Sequence, residues 1–196
     1  MHNTYSMKKI LFPITLAFFV LSCVSPSQTE KELQAVLNTT IQFGKLDTIQ
    51  DMRSLLTLQQ LLDNYEYKSI VYLQDGCEPC YPKFIKWHQK MDSLVFGENY
   101  TILFVIQGNG YSDFMSKVLD LGYVDDRYYT ILDSKYEFLN KNSSIPRWII
   151  DSSVLIDSEN KIKMVGAPWV NEDMTKLFYE IVSKGKSWGL SENQLK

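Results

Sequence analysis

The chain has few of the residues on which several common chemistries depend. Its 196 residues include two histidines, three cysteines and nine glycines. We find no glycine-rich phosphate loop, no recognisable set of serine, histidine and aspartate, and no histidines at metal-ligand spacing. The 20 lysines and arginines, against 23 acidic residues, form no cluster of the kind that phosphate binding requires. The sequence therefore predicts no nucleic-acid partner, no metal and no cofactor.

No apolar run is long enough to span a bilayer, which takes about 20 residues. The longest run, residues 10–21, follows Lys8 and Lys9 and gives way to the polar, turn-forming stretch "SPSQTEKE". A charged start, a short apolar core and the small residue Ser22 are typical of a cleaved secretory signal. We therefore predict that residues 1–22 are a signal peptide. Its removal leaves 18 basic and 23 acidic residues, a net charge of −5.

The end of this segment, "VLSC", resembles the lipobox of bacterial lipoproteins, in which cleavage precedes a cysteine that then carries lipid. The resemblance implies lipidation at Cys23 and a protein held at the bacterial cell envelope, facing the periplasm. The alternative is an ordinary secretory signal with an incidental cysteine. That alternative leaves an unpaired thiol in an oxidising compartment, which calls for an explanation.

Two cysteines then remain, Cys77 and Cys80, in the stretch "DGCEPC". A disulfide that closes so short a loop removes little entropy from the unfolded chain, so the pair is a poor structural crosslink. Two cysteines and the one remaining histidine, His88, do not complete a closed zinc site. A cysteine at the start of a helix has its thiolate stabilised by free N–H groups and the helix dipole. The pattern therefore favours thiol–disulfide exchange.

Hydrophobic periodicity predicts a βαβ unit, an irregular stretch, a β-hairpin and a last helix. The helix after the cysteines buries Phe84, Trp87 and Met91 and leaves Lys83 off this apolar stripe. The predicted strands cover residues 68–74, 100–106, 129–132, 152–157 and 161–166, and the predicted helices cover residues 31–43, 54–65, 82–94, 111–122, 135–140 and 171–185. We predict four segments: a signal peptide (1–22), a tether with an N-terminal helical extension (23–65), the main domain (66–185) and a C-terminal tail (186–196).

A CxxC pair between a strand and a helix, in this element order, resembles the thioredoxin fold, and the membrane-tethered TlpA-like oxidoreductases in particular. The resemblance covers about residues 66–184. It implies an α/β fold, thioredoxin-like, with a mixed central β-sheet flanked by helices. It also implies that Cys77 attacks substrate disulfides and Cys80 resolves the mixed disulfide. Glu78 is expected to oppose the thiolate, and Pro79 to stiffen the loop.

Two positions depart from this family's pattern. Val71 stands where thioredoxin has a buried carboxylate, so proton transfer to Cys80 needs another group or water. The family also has a cis-proline before the strand that opens the final hairpin, where the backbone receives substrate. The candidate is Pro146, with Ile145 beside it, although the usual spacing falls on Asp151. The alternative is that Pro146 is an ordinary loop proline.

The resemblance implies a reductase whose substrate is a disulfide-containing envelope protein and whose electrons come from a membrane donor. The first alternative is a non-catalytic binding module that docks a partner on the aromatic-rich stretch 123–148. Copper delivery is disfavoured because such proteins have three residues between their cysteines and a later histidine. A peroxidase of this fold would have threonine where Gln74 stands.

Overall fold

A computed structural model describes residues 26–47, 49, 56–94, 97–123 and 127–183. The predicted signal peptide, Cys23 and the C-terminal tail lie outside these ranges. Within them, no helix has both the length and the apolar character needed to cross a membrane. Residues 26–32 and the described residues from 33 onward belong to two different compact units. In the first, Ser27 caps a helix: its Oγ accepts the Glu30 N–H, and its own N–H donates to the Glu30 carboxylate.

Seven helices and five strands make up the described structure. The strands are β1 Tyr67–Gln74, β2 Tyr100–Gln107, β3 Tyr129–Asp133, β4 Val154–Ile156 and β5 Ile162–Val165. The helices are α1 Gln28–Val36, α2 Leu58–Asn64, α3 Cys80–Met91, α4 Tyr111–Asp120, α5 Glu137–Lys141, α6 Arg147–Ser152 and α7 Glu172–Ser183. The five predicted strands are therefore confirmed, with shifts of a few residues at their ends.

All five strands form one sheet in the order β3-β2-β1-β4-β5. β1, β2 and β3 are parallel, as expected for strands joined by crossover helices. β4 is antiparallel to β1, and β5 is antiparallel to β4. The predicted mixed central sheet flanked by helices is confirmed.

Each face of the sheet is covered by its own hydrophobic core, because successive side chains of a strand point to opposite faces. Ile70 and Tyr72 of β1 point to one face, and Val71 and Leu73 point to the other. The first core includes Val36, Ile41, Phe43, Leu58, Leu61, Phe138, Ile149 and Ile150. The second includes Phe84, Trp87 and Met91 of α3, Phe114 and Val118 of α4, and Phe178 of α7. The disulfide-bearing helix α3 therefore packs on the second face.

A segment N-terminal to the sheet bridges both of its outer strands. Thr40 pairs with Lys161, the residue directly before β5, and Ile49 pairs with Ile131 of β3. Ile41 and Phe43, between these bridges, are buried in the first core. This part of the N-terminal extension is thus packed against the sheet.

The main departure from the sequence prediction is α6. The sequence was assigned to an irregular stretch followed by a strand from residue 152, but residues Arg147–Ser152 are helical and β4 begins at Val154. The first predicted helix is also shorter than expected. It ends at Val36, and Ile41 is buried outside any helix.

A buried lysine ties β1 to the end of α2. Lys68 is fully buried, and its Nζ donates to the carbonyls of Leu62 (3.0 Å) and Tyr65 (2.7 Å). These carbonyls belong to the end of α2, where backbone acceptors lack partners within the helix and the dipole favours a cation. Burial lowers the pKa of Lys68 to about 8, against the opposing effect of Asp157 and other carboxylates.

We expect Lys68 to make folding stability depend on pH. Between pH 8 and about 10.5, unfolding takes up a proton at Lys68, because the unfolded chain holds the lysine proton more tightly. Its contribution to the free energy of unfolding therefore rises with pH across this window. Lys68→Met should remove on the order of 1–3 kcal/mol of this rise, measured by urea unfolding at pH 7.5 and pH 10. Lys90→Met, at an exposed lysine, is the matched control, and equal pH dependence in the two variants would contradict the prediction.

Candidate active site

The cysteine pair lies between the end of β1 and the start of α3. Asp75 and Gly76 turn the chain out of the sheet, and the φ of +77° at Gly76 is one that side-chain-bearing residues rarely adopt. Cys77 and Cys80 form a disulfide with their Cα atoms 5.3 Å apart. Cys80 is the first residue of α3, and its N–H donates to the Cys77 carbonyl at 2.8 Å. The pair therefore closes one turn at the helix start.

The two cysteines are both half-buried but have different surroundings. Cys80 packs against the second core, and its Sγ accepts the N–H of Gln74 at 3.4 Å. Cys77 lies in the loop between Gly76 and the exposed residues Glu78 and Pro79. The Cys77 sulfur is therefore the one on the loop side of the disulfide. This arrangement suits an attacking thiol at Cys77 and a resolving thiol at Cys80.

The turn before Cys77 is held by a small polar network. The Tyr81 hydroxyl donates to Asp75 Oδ1 at 3.0 Å and accepts the N–H of Gly76 at 2.8 Å. Burial is the main cause of a raised pKa at Tyr81, so its phenol stays protonated and can donate. Gly108 makes room for Asp75: a Cβ at Gly108 would lie 2.7 Å from the Asp75 Cβ. The loop is thus fixed from both α3 and the end of β2.

β1 extends beyond its pairing with β4, and side chains of α3 form hydrogen bonds with the backbone of this part of the strand. β4 pairs with β1 only as far as Ile70. The N–H of Asp75 bonds to the carbonyl of Gln107, the last residue of β2, so the Tyr72 carbonyl and the Gln74 N–H point to the opposite, β4 side. There the Cys80 sulfur accepts from Gln74, and Lys83 Nζ donates to the Tyr72 carbonyl at 3.3 Å. The cysteine and the lysine therefore occupy neighbouring positions on one strand edge.

Helix α6 lies against the same edge of β1, where a second cation, Arg147, contacts the strand. The Arg147 guanidinium lies 4.9 Å from the centroid of the Tyr72 ring and donates to the Gln74 side chain at 3.2 Å. It also pairs with Asp151, one turn later in α6, at 2.8 Å. The cation–π contact and the side-chain hydrogen bond place α6 beside the last residues of β1. The space next to the disulfide is therefore bounded by a helix.

Lys83 connects α6 to the strand edge. Its Nζ donates to the Asp151 carbonyl at 2.7 Å as well as to the Tyr72 carbonyl. Burial lowers the pKa of Lys83 to about 8, although the Asp151 carboxylate acts in the opposite direction. The sequence placed Lys83 off the apolar stripe of its helix and gave no sign that it would be enclosed. The contact that covers it comes from α6, which begins 64 residues later in the chain and could not be placed beside Lys83 from the sequence.

The peptide bond before Pro146 is trans, and the described part of the chain contains no cis peptide. Pro146 immediately precedes α6, while Ser153, with a φ of +78°, directly precedes β4. Ile145 is buried in the first core. The interpretation of Pro146 as the family's cis-proline is therefore wrong in this structure. A role for Ile145 or Pro146 in substrate binding stays a prediction.

Val71 and His88 fill apolar sites. Val71, at the place of the family's buried carboxylate, is completely buried in the second core. His88 is also fully buried, with its ring 5.1 Å from that of Phe104 and 4.5 Å from that of Phe84. Packing is thus the observed role of His88. No three histidine, cysteine, aspartate or glutamate side chains come together as metal ligands in the described ranges.

Comparison with solved structures finds similar chains that differ greatly from this one in sequence. A putative electron transfer protein from Aquifex aeolicus is 13% identical with a TM-score of 0.50, over 73% of this chain and 96% of that chain. A putative thiol:disulfide interchange protein DsbE from Chlorobium tepidum is 14% identical with a TM-score of 0.47, over 73% and 99%. The thioredoxin domain of a thiol-disulfide oxidoreductase from Bacteroides vulgatus is 15% identical with a TM-score of 0.46, over 73% and 99%.

At such identities the likeness concerns the fold alone. No family model matches the sequence, and no curated protein matches it. The sheet order, the strand directions and the position of the cysteine pair between β1 and α3 carry the assignment. The chain has a thioredoxin-like fold.

Proposed function

We propose that the protein is a thiol–disulfide oxidoreductase of the bacterial cell envelope that reduces disulfides in another envelope protein. Its dithiol form would attack a substrate disulfide through Cys77. Cys80 would then displace the substrate from the mixed disulfide, leaving the Cys77–Cys80 disulfide seen here. Electrons for the next cycle would come from a membrane donor.

The observation that carries this proposal is the disulfide itself, placed at the first turn of α3 and half-exposed. A crosslink across three residues stabilises a fold little, because the loop that it closes is short. The buried residues of the two cores include neither cysteine, although Cys80 packs against the edge of the second core. Reactive chemistry is the role that explains both its position and its exposure.

The proposal includes a lipid anchor at Cys23. It rests on the sequence before that residue, a charged start and an apolar run followed by "VLSC". The segment after it leads into α1 and then into the packed N-terminal extension. An anchored reductase would work at the membrane surface, close to a membrane electron donor.

A non-catalytic binding module is the second candidate, and one observation favours it. α6 takes up the space beside the disulfide that an extended substrate segment would use, and two exposed aromatic side chains lie in this part of the chain. Tyr136 is 50% exposed and Trp148, on α6, is 38% exposed. In that case a partner would dock on this surface while the cysteines stay oxidised.

The reduction potential of the pair separates these two functions. We expect a value between roughly −120 and −270 mV, the range of exchange catalysts. The measurement equilibrates the chain carrying Cys23→Ser against defined thiol buffers and counts free thiols by alkylation. The same chain with Cys77→Ser is the control and should show no two-electron transition. A potential below about −300 mV, typical of structural disulfides, would favour the binding module instead.

Lipidation is tested separately. We expect the wild-type chain, expressed in a bacterium that processes lipoproteins, to sediment with membranes and to dissolve in detergent. Cys23→Ser should move it to the aqueous fraction, because the acceptor of the lipid is lost. Ser22→Ala, which keeps a small residue before the cysteine, is the matched control. An aqueous wild-type protein would refute the anchor and leave the redox proposal standing.

A further inference from the structure

Lys83 is a half-buried amine on the helix that starts at Cys80, and the mechanism above does not use it. It follows Cys80 by three residues on α3, so the two side chains lie on the same face of the helix, with Cβ atoms about 5–6 Å apart. Both side chains reach the same open edge of β1. Cys80 Sγ accepts from the Gln74 N–H, and Lys83 Nζ donates to the Tyr72 carbonyl, two residues earlier.

We propose that Lys83 is the proton partner of Cys80. Its amine accepts the proton of the Cys80 thiol, and the resulting ammonium stabilises the thiolate that resolves the mixed disulfide. This inference rests on the proposed exchange function and assigns the proton step within it. At the position of the family's buried carboxylate this chain has Val71, whose side chain is apolar and cannot accept a proton.

In the second exchange step, the Cys80 thiol transfers its proton to the Lys83 amine, and the thiolate attacks the Cys77 sulfur. The bond between Cys77 and the substrate sulfur breaks as the Cys77–Cys80 bond forms. The substrate cysteine leaves with the electron pair and takes up a proton, so the substrate is reduced while the dithiol is oxidised by two electrons.

The surroundings of Lys83 suit an amine that changes charge. Two carbonyls, from Tyr72 and Asp151, accept its N–H groups, and protonation of the amine adds a third N–H that can donate to another acceptor. The charged group that acts on it from α6 is the Asp151 carboxylate, which is itself paired with Arg147. From the loop, Asp75 is bonded to Tyr81, and Glu78 is exposed. Burial lowers the pKa of Lys83 to about 8, near that of an ordinary thiol.

The test measures how fast Cys80 reacts with iodoacetamide as a function of pH. The full chain carries Cys23→Ser and Cys77→Ser, so that Cys80 is its only cysteine. We expect Lys83→Met and Lys83→Gln to slow alkylation at pH 7 about tenfold and to move the midpoint of the pH profile upward, because the cation is lost. Lys83→Arg keeps the charge but cannot accept a proton, so it should hold the rate at pH 7 within about threefold and give a profile with a single midpoint, whereas the wild-type profile reports the coupled cysteine–lysine pair.

Two controls separate this role from a purely structural one. Lys86→Gln removes an exposed lysine of the same helix and should leave the pH profile unchanged. Lys83→Gln keeps an N–H donor that can bond to these carbonyls but carries no charge, so it separates the loss of the cation from the loss of the donor. If Lys83→Gln reacts like Lys86→Gln, Lys83 only holds the two elements together and the proposal is overturned, whatever Lys83→Met does to folding.

The two proposals fail independently. The alkylation experiment uses no protein substrate and no electron donor, so it reports on Lys83 even if the reduction potential proves to be that of a structural disulfide. Conversely, an unchanged profile in Lys83→Gln together with a potential in the catalytic range would remove Lys83 from the mechanism and leave the oxidoreductase in place.

Discussion

β4 pairs with β1 only as far as Ile70, and the architecture of the site depends on what bonds to the strand edge beyond that residue. Buried backbone groups need hydrogen-bond partners, and the two on this edge find them in side chains of α3. The Gln74 N–H donates to the Cys80 sulfur, and the Tyr72 carbonyl accepts from Lys83. The helix that carries the disulfide is thereby fixed to the central strand at the point of reaction. α6 is drawn to the same place through the Asp151 carbonyl.

The sheet, the long helices and the cysteine pair could be predicted because their signals are local. A short run of β-branched and aromatic residues identifies buried strands such as Tyr67–Gln74, and a three- and four-residue spacing identifies α3. The start of the last helix is also marked locally, by Asn171, whose side chain accepts the Met174 N–H at 2.8 Å.

α6 and the enclosed lysines could not be predicted in this way. Arg147–Ser152 is six residues long and includes two isoleucines and a tryptophan, a composition and length that do not favour an isolated helix. It forms because Ile149 and Ile150 are buried in the first core while Arg147 bonds to Gln74. Lys68 and Lys83 likewise look like any surface lysine in the sequence. Their hydrogen-bond partners are backbone carbonyls that only the folded structure brings next to them.

The bridges at Thr40 and Ile49 determine which truncated forms of the domain keep the edges of the sheet covered. One segment reaches the strands at both outer edges of the sheet and covers a core face between them. Open strand edges next to exposed apolar surface are templates for intermolecular pairing. A fragment that begins at β1 would keep the cysteine pair and every strand, yet it would offer such edges to its neighbours. A fragment that keeps both edges and this core face covered therefore includes the chain from about Val36 onward.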